Sequence, residues 1–384
     1  MGTPLEEARR VVIKLGSALI VDTETRKPRQ YWMATLAADI AAMRAAGKQI
    51  VLVSSGAAAL GRPFLPDALK DRTRASSLEQ KQAAAAIGQP RLMAALESAF
   101  ALQDVVLAQA LLTIDDTETR RRWLNARATL FTLLDNGIVP VINENDTVAT
   151  SEIRYGDNDR LAARVAQMVG ADVLILLSDI DGLYTADPRH DPAAKHIGEL
   201  PAITNEVRGF AGDANASAGV GTGGMSTKLD AAEIAWHAGC STAITLGKTE
   251  HPLKRLLDGG RATWIRSGVT PQAARKAWLT GHLTPEGSIT VDQGAEAALL
   301  NGASLLAVGI SDVSGDFPRG AAIAVFNRGQ KLIAKGVTTY SAAEIEQIKG
   351  LQSTDVSARL GYPARAAVIH RDDMVLLDAE MAGL

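Results

Sequence analysis

The chain has 384 residues, enough for two folding units of ordinary size, and 47% hydrophobic against 22% charged residues excludes a chain that is mainly disordered. Forty Lys plus Arg stand against 43 Asp plus Glu, a formal net charge of -3, which excludes the broad basic field of a nucleic-acid or membrane-surface protein. The single cysteine, Cys240, forms no internal disulfide, and the six histidines lack the spacing of structural zinc ligands. The charged start MGTPLEEARR and the lack of an apolar run near ~18 residues lead us to expect a cytoplasmic protein.

In chain order, apolar runs predict strands over 11–15, 49–54, 105–108, 138–142, 173–177 and 243–246. Each is apolar nearly throughout, the signature of strands buried on both faces in a parallel sheet. Between them, helical periodicity predicts helices over 32–46, 78–102, 121–135, 160–169 and 226–238, four of them closed by Gly47, Gly137, Gly170 or Gly239. The alternation implies an α/β fold: a doubly wound, mostly parallel open sheet covered by helices, with ligands beyond the carboxyl ends of the strands. From about residue 269 the pattern changes. Residues 271–284 read as a linker broken by Pro and Gly, and 285–384 as a small, β-rich, barrel-like domain with strands over 288–291, 305–308, 322–326, 331–335 and 366–369 and a helix over 293–300. Residues 1–270 form the first domain on this reading.

Candidate chemistry gathers at the expected strand ends. The run GVGTGGMSTK, 219–228, leads into a helix, and its glycines would let phosphate oxygens approach backbone N–H groups, with Ser226, Thr227 and Lys228 as further donors. It is neither a Walker A loop, since Met225 stands where the lysine belongs, nor a Rossmann fingerprint, since no strand precedes it. Lys14 sits at the end of the first strand, where a cation meets phosphates, and Ser54-Ser55-Gly56 ends the second. The connection NENDTVATSEIRYGDNDR packs Asn143, Glu144, Asn145, Asp146, Asp157, Asn158 and Asp159 between a strand and a helix. A helix cap accounts for one of them, leaving Asp146 to meet a substrate amino group and Asn158 other polar groups. Ser178-Asp179 ends the fifth strand as a nucleotide edge, whereas His196 reads as surface and Cys240 as a small apolar residue.

Taken in order, IKLGSALI, VLVSSGAAALGR, QAAAAIGQPRLM, VPVINENDTVAT, GDNDRLAARVA, LLSDIDGLYTADPR and GVGTGGMSTKLDAA resemble the glutamate 5-kinase family of amino acid kinases, and the segment from GSITVDQGAEAALLNGAS resembles a PUA domain. The resemblance implies ATP-dependent phosphorylation of the γ-carboxylate of L-glutamate, the first step of proline biosynthesis. It implies that Lys14 and Lys228 neutralise charge on the transferring phosphoryl group while Asp159 holds them, and that Ser54, Asp146 and Asn158 bind glutamate. ATP would be bound by Lys14, Ser178, Asp179, Thr222, Gly223, Gly224, Met225, Ser226, Thr227 and Lys228, with Mg2+ carried by the ATP phosphates and no dedicated metal site in the protein. Proline as feedback inhibitor and a homo-oligomer are further implications.

A carboxylate acceptor is ionised at neutral pH, so the chemistry asks for alignment and charge neutralisation and not for a general base. Two alternatives remain at this stage. Another phosphotransferase of the same family would differ only in its acceptor. RNA binding through the C-terminal domain is disfavoured by 8 Lys plus Arg against 12 Asp plus Glu over 281–384 and by 4% aromatic residues in the chain.

Overall fold

The structure, a computed structural model, describes residues 3–66, 77–148, 157–211, 224–282 and 284–377. The chain divides into two compact units between Pro271 and Gln272. The first contains α1 (Pro4–Glu7), β1 (Arg10–Leu15), α2 (Ser17–Ile20), α3 (Gln30–Ala45), β2 (Gln49–Ser54), α4 (Ala57–Gly61), α5 (Leu78–Ala101), β3 (Leu107–Leu112), α6 (Ile114–Glu118), α7 (Arg120–Asp135) and β4 (Val139–Glu144). It continues with α8 (Asp157–Val169), β5 (Val173–Ser178), β6 (Leu183–Tyr184), β7 (His196–Ile197), β8 (Glu199–Leu200), α9 (Asn205–Phe210), α10 (Met225–His237), β9 (Ser241–Leu246), α11 (Pro252–Leu257) and β10 (Ala262–Ile265).

Eight of these strands form one open sheet in the order β3-β4-β2-β1-β5-β9-β10-β8. All neighbours run parallel except β9 and β10. Alternation along each strand divides the core into two layers. Val11, Ile13 and Leu15 point to one layer with Trp32, Leu36 and Ile40 of α3 and Leu92, Leu96 and Phe100 of α5. Val12 points to the other, with Leu161 and Val165 of α8 and Leu229 and Ala232 of α10. Lys14 therefore projects from β1 on the face covered by α8 and α10, and this parity decides which helices it meets.

The glycines expected past four helices all adopt left-handed φ, from +61° at Gly170 to +83° at Gly47, so those helix ends follow the sequence reading. The third strand does not. It starts at Leu107 instead of 105, because Val105 closes the end of α5 through its N–H to Phe100 O at 3.2 Å, and the strand register is set by pairing with β4 from Leu107 opposite Val139 to Leu112 opposite Glu144. The two-stranded β6-β7 hairpin and the sheet-edge strands β8 and β10 were not anticipated; the first three have only two residues each, too few to carry a period.

The second unit starts with a helix, α12 (Pro271–His282), where the sequence reading expects a broken linker. Proline at the first helical position is favoured, and QAARKAW that follows is rich in helix formers. Within this unit Arg275 donates to Asp372 O at 2.8 Å and pairs with the Asp373 carboxylate. Then come β11 (Gly287–Val291), α13 (Gln293–Leu300), β12 (Leu305–Leu306), β13 (Ile310–Ser314), β14 (Ala322–Asn327), β15 (Leu332–Val337), α14 (Ala342–Ile348), α15 (Ser353–Leu360), β16 (Ala367–Ile369) and β17 (Met374–Leu376). A five-stranded sheet, β13-β11-β14-β15-β17, and the pair β12-β16 enclose Ile289, Val291, Phe317, Ile323, Val325, Ile345 and Ile369, so the unit is β-rich as expected. The strand predicted over 305–308 covers only Leu305 and Leu306, since Ala307–Gly309 turns into a 3-10 helix.

Two backbones approach closely beneath the loop that follows β2. A Cβ added to Gly61 of α4 would lie 1.8 Å from Ala84 O of α5, and one on Gly88 would lie 1.7 Å from Ala57 O. No side chain fits there, so these glycines let α4, and with it the Ser54-Ser55-Gly56 turn, seat on α5. Gly88→Ala should lower unfolding stability by about 3 kcal/mol, read from the urea midpoint, whereas Gly209→Ala, inside α9 where nothing approaches within 4 Å, should raise it by up to about 1 kcal/mol.

In the second unit Arg319, with Tyr362 and the Ser341 cap, holds the Glu344 carboxyl down at about 2, against a partial burial that works to raise it. Because this pKa is depressed, the stabilisation is fully present above the ordinary glutamate value and is lost as pH falls through about 4 toward 2. Glu344→Gln should remove that part of the acid dependence of unfolding, measured by denaturant titration across the same range.

Candidate active site

The carboxyl ends of β4, β2, β1 and β5 lie side by side, about 5 Å from strand to strand; β4, β2 and β5 end in the polar residues Glu144, Ser54 and Ser178, and β1 carries Lys14 one residue before its end. On β1, Lys14 is paired in register with two apolar neighbours, Val53 of β2 and Leu176 of β5. It is only 8% exposed, and Lys228 of α10 only 6%. Asp159, in the first turn of α8, is fully buried between them: Lys14 Nζ lies 2.6 Å from its Oδ1 and Lys228 Nζ 3.4 Å from its Oδ2. Burial works against the ionised carboxyl, but the two ammonium groups, with hydrogen bonds from Lys14 and Thr227, hold Asp159 below the usual carboxylate range. Burial pushes the Lys228 ammonium down, and Asp159 opposes that shift.

Thr227 adds a third partner. Its Oγ1 lies 3.1 Å from Asp159 Oδ2 and 2.8 Å from Gly224 O, one turn back at the start of α10. Met225 is half-buried against the apolar layer under α10, and Ser226 is exposed. Thr222 and Gly223, together with the rest of the glycine run before Gly224, lie outside the described residues.

On the β2 and β4 side, Asn158 Nδ2 donates to Ser55 Oγ at 2.8 Å and to Asn143 Oδ1 at 3.3 Å. Asn143 Oδ1 also accepts the Glu144 N–H at 2.9 Å, which fixes it as an oxygen, so the Asn158 atom facing it must be the nitrogen. The other end of Asn158, its carbonyl oxygen, is buried with no hydrogen-bond partner among the described residues. It is an acceptor awaiting a donor. Asn143 Nδ2 in turn donates to Gln89 Oε1 of α5 at 2.8 Å, and Gln89 lines a cavity of about 260 Å³ together with Glu144, Asn145 and Asp146.

Ser54, expected to bind glutamate, is fully buried, with Oγ 3.2 Å from Ser55 O, and its neighbour Ser55 is the serine that meets Asn158. On the other side of β1, Ser178 at the end of β5 donates from Oγ to Asp179 Oδ1 at 3.2 Å, and its carbonyl accepts the Gly247 N–H at 2.7 Å. Asp179 is exposed. Asn143, Gln89 and Ser55 carry connections that the sequence reading did not assign. The INEND run offered a signal for Asn143, whereas a glutamine inside a helix offers none.

Outside this edge, Cys240 is buried and its thiol is pushed far up by burial, in keeping with a small apolar residue. His196 is not the surface residue expected: its ring packs edge-on against Tyr184, with centroids 5.2 Å apart, and Nε2 is buried beside Gly182.

The amino acid kinase family model matches residues 9–245, and the PUA domain model matches residues 287–360. The chain belongs to the amino acid kinase family. A glutamate 5-kinase of Caulobacter vibrioides is 55% identical over 371 residues, covering 97% of both chains. Glutamate 5-kinases of Paramagnetospirillum magneticum and Sinorhizobium fredii are 52% and 51% identical, covering 97% of this chain and 99% and 93% of theirs. This amino acid kinase therefore consists of a family-typical α/β domain followed by a PUA domain, and it is an enzyme that uses ATP.

Removing the charge of Asp159 would leave two buried ammonium groups without their common partner. Asp159→Asn should lower stability by about 3 kcal/mol in denaturant titration, far more than the loss of any exposed ion pair such as Arg122 with Asp115.

Proposed function

We infer that this chain catalyses the ATP-dependent phosphorylation of the γ-carboxylate of L-glutamate, giving γ-glutamyl 5-phosphate for proline biosynthesis. The observation that carries the residue roles is the buried Lys14–Asp159–Lys228 group between two different polar clusters: amides and Asp146 toward β2 and β4, Ser178 and Asp179 toward β5. An acceptor on the first side and a nucleotide on the second would bring the donor and acceptor oxygens of an in-line transfer to either side of the lysines.

The residue roles follow from this division. Lys14 and Lys228 would meet negative charge as it spreads over the moving phosphoryl group, in a site dry enough for each charge to act strongly. Asp159 would keep both ammonium groups together in the absence of substrate, when their repulsion would otherwise drive them apart. The unfilled Asn158 carbonyl requires a donor, and the only donor that glutamate offers at neutral pH is its ammonium; Asp146 supplies negative charge toward the same group. Ser54 shapes the β2 end, and its neighbour Ser55 orients Asn158. Ser178, Asp179 and residues 222–228 would bind ATP. Mg2+ on the phosphates, when bound, neutralises further charge. Feedback inhibition by proline and assembly into a homo-oligomer belong to the same reading and rest on family likeness.

With Mg-ATP and hydroxylamine, L-glutamate should yield the hydroxamate of the trapped acyl phosphate, while UMP should give no transfer; ATP turnover independent of glutamate would defeat the reading. Lys14→Ala and Lys228→Ala should each lower kcat by about 100-fold or more with smaller changes in the glutamate KM. Asp146→Ala and Asn158→Ala should do the reverse, raising the glutamate KM about tenfold and narrowing the preference for glutamate over glutarate, which lacks the ammonium.

A further inference from the structure

The hydroxyl of Thr227 has one proton and two acceptors within reach, Asp159 Oδ2 at 3.1 Å and Gly224 O at 2.8 Å. Gly224 O is also the acceptor for the Lys228 N–H as α10 begins, at 3.4 Å. A charged carboxylate is the stronger acceptor, and this one is buried and already shared between two ammonium groups. Residues 222–228 read as a nucleotide-binding run, yet this member turns its hydroxyl toward the carboxylate.

We propose that the hydroxyl of Thr227 is a positioning group for phosphoryl transfer, acting through Asp159, while the backbone of Thr227 stays part of the nucleotide-binding run. The argument is geometric. Asp159 serves its two lysines with different oxygens, Oδ1 for Lys14 and Oδ2 for Lys228, so a rotation of the carboxylate would lengthen both pairs at once. The aliphatic and ammonium contacts around it do not fix that rotation, because an ammonium accepts many directions of approach. Thr227 does, because it sits in the first turn of α10 one residue before Lys228, and a donor there fixes Oδ2 relative to the same helix that carries the second lysine. Its hydroxyl thereby ties the start of α8 to the start of α10 at the point where the two ammonium groups must keep their spacing as charge moves between them. The neighbouring Ser226 is exposed and makes no such contact among the described residues.

This proposal rests on the kinase reading above, and its test has one arm that does not. In the unliganded protein, a denaturant double-mutant cycle of Thr227→Val with Asp159→Ala should be non-additive, because the valine change keeps only the loss of the bond to Gly224 O once the carboxylate is gone. In the kinetic arm, Thr227→Val should lower kcat about tenfold with the ATP KM changed less than about twofold, and Thr227→Ser should restore kcat. Should Thr227→Val prove too unstable to assay, Thr227→Ala carries the same comparison against Thr227→Ser. An additive cycle, or a raised ATP KM with kcat intact, would assign the hydroxyl to the nucleotide and overturn the proposal. If glutamate proved to be the wrong acceptor, the cycle would still read the Thr227–Asp159 contact, so the two failures are distinguishable.

Discussion

A carboxylate with no access to water, shared by two nearly buried lysines, is the constraint around which the large domain is arranged. Three charges at this depth are tolerated only because each has an opposite partner, and their separation in sequence is large: residue 14 on a strand, 159 and 228 on two helices. The fold must bring three distant segments together to within hydrogen-bonding reach. It does so by strand parity, which turns Lys14 to the face of the sheet that α8 and α10 cover, and by starting both helices at the carboxyl edge.

The strand order then divides the site. Because β1 lies between β2 and β5, the lysine-bearing strand has the Ser54-Ser55 turn and the β4 amides on one side and the Ser178 end of β5 on the other. On the proposed function, two substrates would approach from opposite sides of this shared positive centre. The close backbone contact of α4 with α5 at Gly61 and Gly88 supports the β2 and β4 side of the edge, since α5 also supplies Gln89 to the amide chain running from Asn158 through Asn143. His196 is set into the β6-β7 hairpin, where its ring contacts Tyr184.

The parts of the fold that the sequence made legible are those decided by local composition. Continuous apolar strands announced a sheet covered on both faces, and glycines past helix ends announced where those helices stop, because only glycine enters the left-handed region freely. Where tertiary pairing sets the boundary, local reading failed: β3 is shifted toward residue 112 by its register with β4, and the residues after Pro271 form a helix although Pro and Gly suggested a break. In the candidate site, charged and amide residues clustered after strands stood out in the sequence, since such residues are seldom buried unless paired.

By itself, the sequence determined that this protein has an α/β kinase domain and a β-rich PUA domain, and which residues carry charge at the strand ends, because those properties reside in composition, periodicity and short motifs. Only the tertiary structure decided which of those residues touch. It turned Ser54 inward and gave its neighbour Ser55 to Asn158, linked Gln89 into the amide chain, and aimed the Thr227 hydroxyl at Asp159. The physical reason is that a side chain's direction depends on strand register and on which helix turn faces the sheet edge, and those are fixed by packing among segments far apart in the chain.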